Sequence, residues 1–273
     1  NQDEVVLQPG VPLAILQATL ERAGKYYPPV PTFDGAFAGG VVATNAAGAT
    51  TFKYGTTRDW VRGLTVVLAN GEVLEMDRGE TTAHPDGYFE IVTEGVLRRI
   101  SIPSYTVPTL EKCSAGYFAE PGMDLIDLFI GSEGTLGIVT AATLQLAPAI
   151  GERRVAWVGL AGIAQARQLL MHCEQQAGDA LEGFEVLPRH CLDAVLAYLP
   201  DTRSPLENEH AWYALIELVA PAGATDGLDT LVETVFETAM ERELLEDAVI
   251  AANESQAESF WHLRESISPA ERA

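Results

Sequence analysis

The chain has 273 residues, with 39 acidic against 17 basic side chains and a formal charge of -22. So negative a balance argues against nucleic acid as a partner, because a phosphate backbone is held by basic surfaces, and against anionic membrane surfaces. With 47% apolar residues, no bilayer-length apolar run and three widely spaced cysteines, the composition predicts two globular domains with reduced thiols in the cytoplasm and no disulfide or zinc framework.

In chain order, Glu4-Val5-Val6-Leu7-Gln8 predicts a strand stopped by Pro9-Gly10. Leu13, Leu16 and Leu20 then recur on one helical face, with Gly24 at the end. Tyr26 to Thr32 is a proline-stiffened connector. It delivers the chain to the stretch Gly39 to Gly63, where Gly39, Gly40, Gly48 and Gly55 stand among Ala43, Ala46, Ala47 and Ala49. A main chain so nearly bare lets a ligand lie against backbone N–H groups. Thr44 and Asn45 add short donors, Tyr54 a ring and Arg58 a fixed positive charge. A packing seam of small residues is the alternative.

Leu64 to Leu68 and Glu72 to Met76 flank Asn70-Gly71, which predicts a hairpin. His84 sits in a turn and is given no role; Ser101 to Asp124, with Lys112 and Cys113, reads as loop. The apolar approach Leu125 to Ile130 ends in Gly131-Ser132-Glu133-Gly134, a pattern that brings backbone to a ligand. Glu133 would repel phosphates, so it suits the N–H groups of a tight turn or the neutral groups of a ligand. A strand from Gly137 to Leu146, closed by Pro148, puts a domain boundary near Ala149 to Gly151.

Beyond it, strands at Val155 to Leu160, Glu182 to Leu187 and Trp212 to Val219 alternate with helices at Ile163 to Ala177, Arg189 to Tyr198 and Asp226 to about Ala248. That order predicts an α+β layer. In a last helix, Asn253 to Ser268, Arg264 and Ser268 are spaced i,i+4, so guanidinium and hydroxyl could converge on one carboxylate. Pairing of Arg264 with Glu265 or Glu271 is the alternative.

The sequence Gly39-Gly40-Val41-Val42-Ala43-Thr44-Asn45-Ala46-Ala47-Gly48, followed by Tyr54-Gly55-Thr56-Thr57-Arg58-Asp59-Trp60-Val61, resembles a motif of FAD-linked oxidases and dehydrogenases of the vanillyl-alcohol oxidase and p-cresol methylhydroxylase type. Gly131 to Thr140 resembles the second flavin-contacting motif of that family, and Trp261-His262-Leu263-Arg264 its Trp-x-x-Arg segment. The nearest branch is that of the D-lactate, glycolate and D-2-hydroxyglutarate dehydrogenases.

The resemblance implies an α+β chain: a partial PCMH-type FAD-binding domain over residues 1–149, then a ferredoxin-like substrate (cap) domain over 150–273. FAD would be held by Pro31, Thr32, Gly39, Gly40, Ala43, Thr44, Asn45, Gly48, Tyr54, Gly55, Glu133, Gly134, Gly137 and Ile138, and the substrate by Arg264 and Ser268. Hydride would pass from a small D-2-hydroxy acid to the flavin while a base takes the hydroxyl proton. No base or metal is assigned, because His172, His190, His210 and His262 lack metal-ligand spacing and the family's His-rich motif falls beyond the equivalent of Ala273. The family's earlier pyrophosphate loop has no counterpart before Val5, so both domains are expected to be incomplete. Val30 and Phe37 stand where relatives usually carry Asp and Thr. The expected partners are a small-molecule substrate, an unidentified electron acceptor, and a second subunit of the same or another kind. Competing readings are an oxidase of a phenolic or other alcohol, ether-lipid synthase chemistry on the same fold, and a flavin-free scaffold or binding subunit. A nicotinamide-binding Rossmann domain lacks its Gly-x-Gly-x-x-Gly.

Overall fold

A computed structural model describes residues 3–31, 33, 35–93, 95–105, 115–221, 224 and 227–273. Thr32, Lys112, Cys113 and the expected helix start at Asp226 lie outside the described residues. The chain divides into two compact units, Asn1–Ala149 and Ile150–Ala273. Among the described residues no helix is long and apolar enough to cross a membrane.

The first unit runs β1 (Glu4–Leu7), α1 (Leu13–Glu21), β2 (Lys25–Tyr26), α2 (Ala38–Ala43), α3 (Thr51–Tyr54), α4 (Thr57–Trp60), β3 (Val61–Val67), β4 (Val73–Asp77), β5 (Tyr88–Thr93), β6 (Val96–Ser101), α5 (Ile126–Phe129), β7 (Ile138–Gln145) and β8 (Ala147–Pro148). Its main sheet has the order β1-β7-β3-β4 and is antiparallel throughout. Leu13, Leu16 and Leu20 of α1 are buried as their spacing predicts. Gly71 turns the β3–β4 hairpin at φ +87°.

Two elements went unread in the sequence. The glycine run is partly helical: Val41 and Val42 of α2 are buried in the core, and that burial holds a helix which two glycines would weaken. The β5–β6 hairpin turns through Gly95 at φ +71° and buries Phe89, Ile91 and Thr93 on one face.

The second unit runs β9 (Ile150–Leu160), α6 (Ile163–Ala177), β10 (Leu181–Pro188), α7 (Arg189–Tyr198), β11 (Trp212–Pro221), α8 (Leu228–Glu241), β12 (Asp247–Ile250), α9 (Glu254–Glu265) and α10 (Ile267–Arg272). The antiparallel order β10-β11-β9-β12 is that of a ferredoxin-like βαββαβ unit, with α6 and α8 as its two crossovers. Leu169, Val232 and Val235 pack with Val158 and Ile216 on one face. Leu192, Val195, Phe260 and Leu263 pack with Trp157 and Leu215 on the other. Because both faces are covered, β11 reads as a near-continuous apolar run, where a half-exposed strand would alternate.

The expected helix to Ala248 is corrected. α8 stops at Glu241, and the chain returns as the edge strand β12. Glu243 takes a left-handed φ of +55° while the Leu244 N–H reaches back to the Ala239 carbonyl at 2.9 Å and that of Glu243 to Met240 at 3.0 Å. This is the helix stop that glycine usually makes, here made by glutamate, so it left no mark in the sequence. The helix expected over Asn253 to Ser268 likewise divides at Ser266 into α9 and α10.

Candidate functional site

The two glycine blocks of the first unit come together. The Gly131 N–H donates to the Val42 carbonyl at 3.0 Å and the Glu133 N–H to Ala43 at 2.8 Å, so the second block is hydrogen-bonded to the end of α2. Arg58 fastens them from behind. Its Nη1 donates to the Asp127 carbonyl at 2.5 Å and its Nη2 to the Ile130 carbonyl at 2.7 Å, while Asp127 Oδ1 accepts from Arg58 at 3.2 Å and from Arg78 at 3.0 Å. Burial pulls the Arg58 guanidinium below its ordinary pKa, and the Asp127 charge opposes that shift. The fixed positive charge read from the sequence is therefore engaged inside the protein, where it braces the glycine blocks.

Between the blocks lies a largely apolar cleft of about 540 Å³. Gly39, Gly40 and Ala43 of α2 line it together with Glu133, Gly134, Gly137 and Ile138. Pro9, Gly10, Phe37, Phe129, Ser132 and Val139 complete its lining. Gly39 is a glycine because a Cβ there would run into the Pro9 ring. At Gly40 and Gly134 nothing stands within 4 Å of where a Cβ would project. The walls at those two points are bare backbone facing open space, which is how a flat ring can approach main chain closely. Glu133 and Gly134 hold left-handed φ values of +52° and +76°, and at Glu133 that conformation is paid in strain.

The remaining residues of the first block shape the segment. Asn45, at φ +47°, accepts the Arg58 N–H on Oδ1 at 2.9 Å. The Thr44 hydroxyl donates to the Gly40 carbonyl at 2.8 Å. Gly48 presses on the Val30 carbonyl and Gly55 on Asp59, so neither has room for a side chain. Pro31 lies beside Gly48. Tyr54 packs edge-on against Tyr26 and Trp60, with ring centroids 6.3 and 6.1 Å away. These five block residues and Pro31 are not among the residues that line the cleft. Pro9, Gly10, Phe129, Ser132 and Val139 line it without having been singled out in the sequence. Phe129, Ser132 and Val139 belong to the second block and its apolar approach, which the sequence did mark, whereas the Pro9-Gly10 break read as a strand end.

In the second unit Arg264 lies on α9 against the sheet. Its Nε and Nη2 donate to Oε2 of Glu185 on β10, at 3.0 and 2.7 Å. Ser268 is exposed on α10, and its Oγ accepts from Arg272 Nη2 at 2.9 Å. The structure therefore pairs Arg264 with Glu185 on the sheet and Ser268 with Arg272 on its own helix. Glu217 of β11 is 6% exposed. It accepts the Trp261 indole N–H at 2.7 Å and Arg153 Nη1 at 3.3 Å. Burial raises its pKa, against the opposing charge of Arg153. Cys173 and Cys191 are unbridged, and burial pushes the Cys173 thiol up to about 12, so it stays protonated and inert. Among the described residues no group of three or more His, Cys, Asp or Glu is placed to hold a metal.

An apolar cleft walled by backbone, with one carboxylate at its edge and no basic side chain in its lining, suits the uncharged ring system of a dinucleotide better than its phosphates. The fold and the cleft thus define a flavin-binding class. The chain belongs to the FAD-linked oxidase family: residues 1–77 match the FAD binding domain, and residues 151–273 match the C-terminal domain of FAD linked oxidases. It is 32% identical over 232 residues to the mitochondrial D-2-hydroxyglutarate dehydrogenase of Arabidopsis thaliana, covering 85% of this chain and 35% of that protein. It is 31% identical over 267 residues to the D-2-hydroxyglutarate dehydrogenase of Xanthomonas citri pv. viticola, covering 97% and 48%. The chain thus spans between about a third and a half of the length of these relatives. A solved structure of alkyldihydroxyacetonephosphate synthase superposes with a TM-score of 0.65 at 17% identity, over 99% of this chain and 44% of that one, and shows the shared PCMH-type fold.

Proposed function

We propose that the chain forms part of an FAD-dependent dehydrogenase that oxidises a small D-2-hydroxy acid to the 2-oxo acid. The observation that carries this reading is the meeting of the two glycine blocks around one apolar cleft, in a chain whose relatives are named D-2-hydroxyglutarate dehydrogenases. Gly40 and Gly134 would let the ring system lie against backbone, and Gly39, Ala43, Gly137 and Ile138 would form its bed. Glu133 would accept from the cofactor's N–H or hydroxyl groups. Pro31, Thr32, Thr44, Asn45, Gly48, Tyr54 and Gly55 would support the cofactor through the conformation of the first block. Bound FAD supplies the two-electron acceptor. The protein's share is placement and exclusion of water. Arg264 would hold the substrate carboxylate by a charge-assisted contact with help from the Ser268 hydroxyl, and electrons would then pass to an acceptor outside this chain.

Free thiols at Cys173 and Cys191 fit a reducing compartment, either the cytoplasm or the mitochondrion that the Arabidopsis relative's name gives. Anaerobic addition of D-2-hydroxyglutarate, D-lactate or glycolate to the FAD-loaded enzyme tests the reading. Bleaching of the flavin band by one of them is expected, and a band that all three leave unchanged would overturn the hydroxy-acid assignment.

A further inference from the structure

Trp261 and Arg264 are i,i+3 on α9 and so share a face. Each meets a carboxylate of the sheet beneath, Trp261 on Glu217 of β11 at 2.7 Å and Arg264 on Glu185 of β10 at 2.7 Å. In the strand register Glu217 stands opposite Gly183, two residues from Glu185, so the two carboxylates are diagonal neighbours on one face. The indole lies over Gly183, at van der Waals distance, 3.4 Å, from where a Cβ would stand. Arg153 adds a third attachment, donating to Glu217 at 3.3 Å and to Glu254 in the first turn of α9 at 3.0 Å. The two acceptors differ in setting. Glu217 has a side-chain exposure of 8%, whereas Glu185 and Arg264 keep 20% and 25%. The buried attachment is the rigid one, and the half-open ion pair follows it.

We propose that Glu217 is a positioning residue which, through the Trp261 indole, fixes the α9 face from which Arg264 meets the substrate carboxylate. The inference rests on the carboxylate-binding reading of Arg264 given above. It assigns to the Trp-x-x-Arg pair two different duties: the tryptophan docks on the sheet and the arginine faces the ligand. The burial that raises the Glu217 pKa agrees with a carboxylate that the indole and Arg153 compensate in part.

The test is a mutant cycle on the FAD-loaded enzyme with a D-2-hydroxy acid that bleaches it. Trp261→Phe keeps the ring and deletes the donor, and Glu217→Gln keeps the shape and deletes the charge. Each should raise KM about fivefold and leave kcat within about twofold, the pattern of a lost binding alignment. In an Arg264→Ala background neither should change KM further, because interacting sites are not additive. Melting temperature and flavin content, measured on every variant, separate this from general damage. Unchanged KM in both single variants, or the same fivefold loss persisting in Arg264→Ala, would overturn the proposal. If Arg264→Ala itself leaves KM unchanged, the carboxylate reading of Arg264 is what fails, and that result is distinct from the other two.

Discussion

The candidate sites of the two units are built by opposite means. In the first, the cleft walls are main chain, and the charged residues Arg58, Arg78 and Asp127 stand behind them as fasteners. In the second, the candidate group is itself a charged side chain: Arg264, a quarter exposed, is paired with Glu185, and the tryptophan beside it is anchored on Glu217. A backbone wall discriminates by shape and tolerates no added carbon, whereas a guanidinium discriminates by charge and depends on its neighbours for direction. The first kind of site should therefore fail when its geometry is disturbed and the second when a charge is removed.

The sharpest break of that contrast is Arg58→Ala. It removes the donors to the Asp127 and Ile130 carbonyls and leaves the Asp127 carboxylate, itself 6% exposed, to Arg78 and the Asp124 N–H. Breaking one side of such a buried pair costs about 3–5 kcal/mol. The expected result is a lower denaturant midpoint for the first unit together with loss of bound FAD. A variant as stable as the wild type would mean that the backbone bonds at Gly131 and Glu133 hold the blocks unaided.

Arg264→Ala is next, and its effect should fall on ligand binding alone. Carboxylate substrates should lose about 2–4 kcal/mol of binding, the range for deleting a charge-assisted contact. Stability should move by less than about 1 kcal/mol, since the pair with Glu185 is partly exposed and screened. Steady-state KM and a urea melt on the same preparation check both halves.

Glycine substitutions sharpen the geometric side. Gly40 sits in α2 with open space at its Cβ position, so Gly40→Ala should stabilise the fold by up to about 1 kcal/mol through helix propensity. The same methyl enters the cleft and should weaken FAD binding. Gly134→Ala also enters the cleft but must adopt φ +76°, at about 1–2 kcal/mol of strain. Opposite signs in stability with the same sign in flavin titration would show that shape, and not damage to the fold, governs the first site.

How much of this was legible beforehand follows the same division. Glycine and alanine in family order marked the cleft because a backbone wall needs those residues at those places. Gly39, Gly40, Ala43, Glu133, Gly134, Gly137 and Ile138 all line it. The α+β layer was legible from its alternation of strands and helices, and its ferredoxin-like topology from the family resemblance alone. The end of α8 was not, since Glu243 makes a turn that no glycine announces. The partners of Arg264 and Trp261 were equally hidden: Glu185 and Glu217 are brought beneath α9 by sheet register, 79 and 44 residues away along the chain, and spacing along the chain does not encode such pairs.

The smallest effect expected is a pH dependence centred on Glu217. Burial raises its folded pKa above the ordinary carboxylate value of 4.5, with the Glu182 charge adding to the rise and Arg153 and Trp261 opposing it. An acid whose folded pKa is raised holds its proton better in the native state. Its contribution to stability is therefore fully present below the unfolded value and is lost as pH rises through the folded one. Glu217→Gln cannot ionise and should remove that slope. Between pH 4 and 7 the variant should gain on the wild type in melts of the second unit as pH increases, even while its KM for the hydroxy acid worsens. Parallel melting curves for the two proteins across that range would mean that Arg153 and Trp261 fully compensate the buried charge. The anchor beneath Trp261 would then carry no cost in stability at neutral pH.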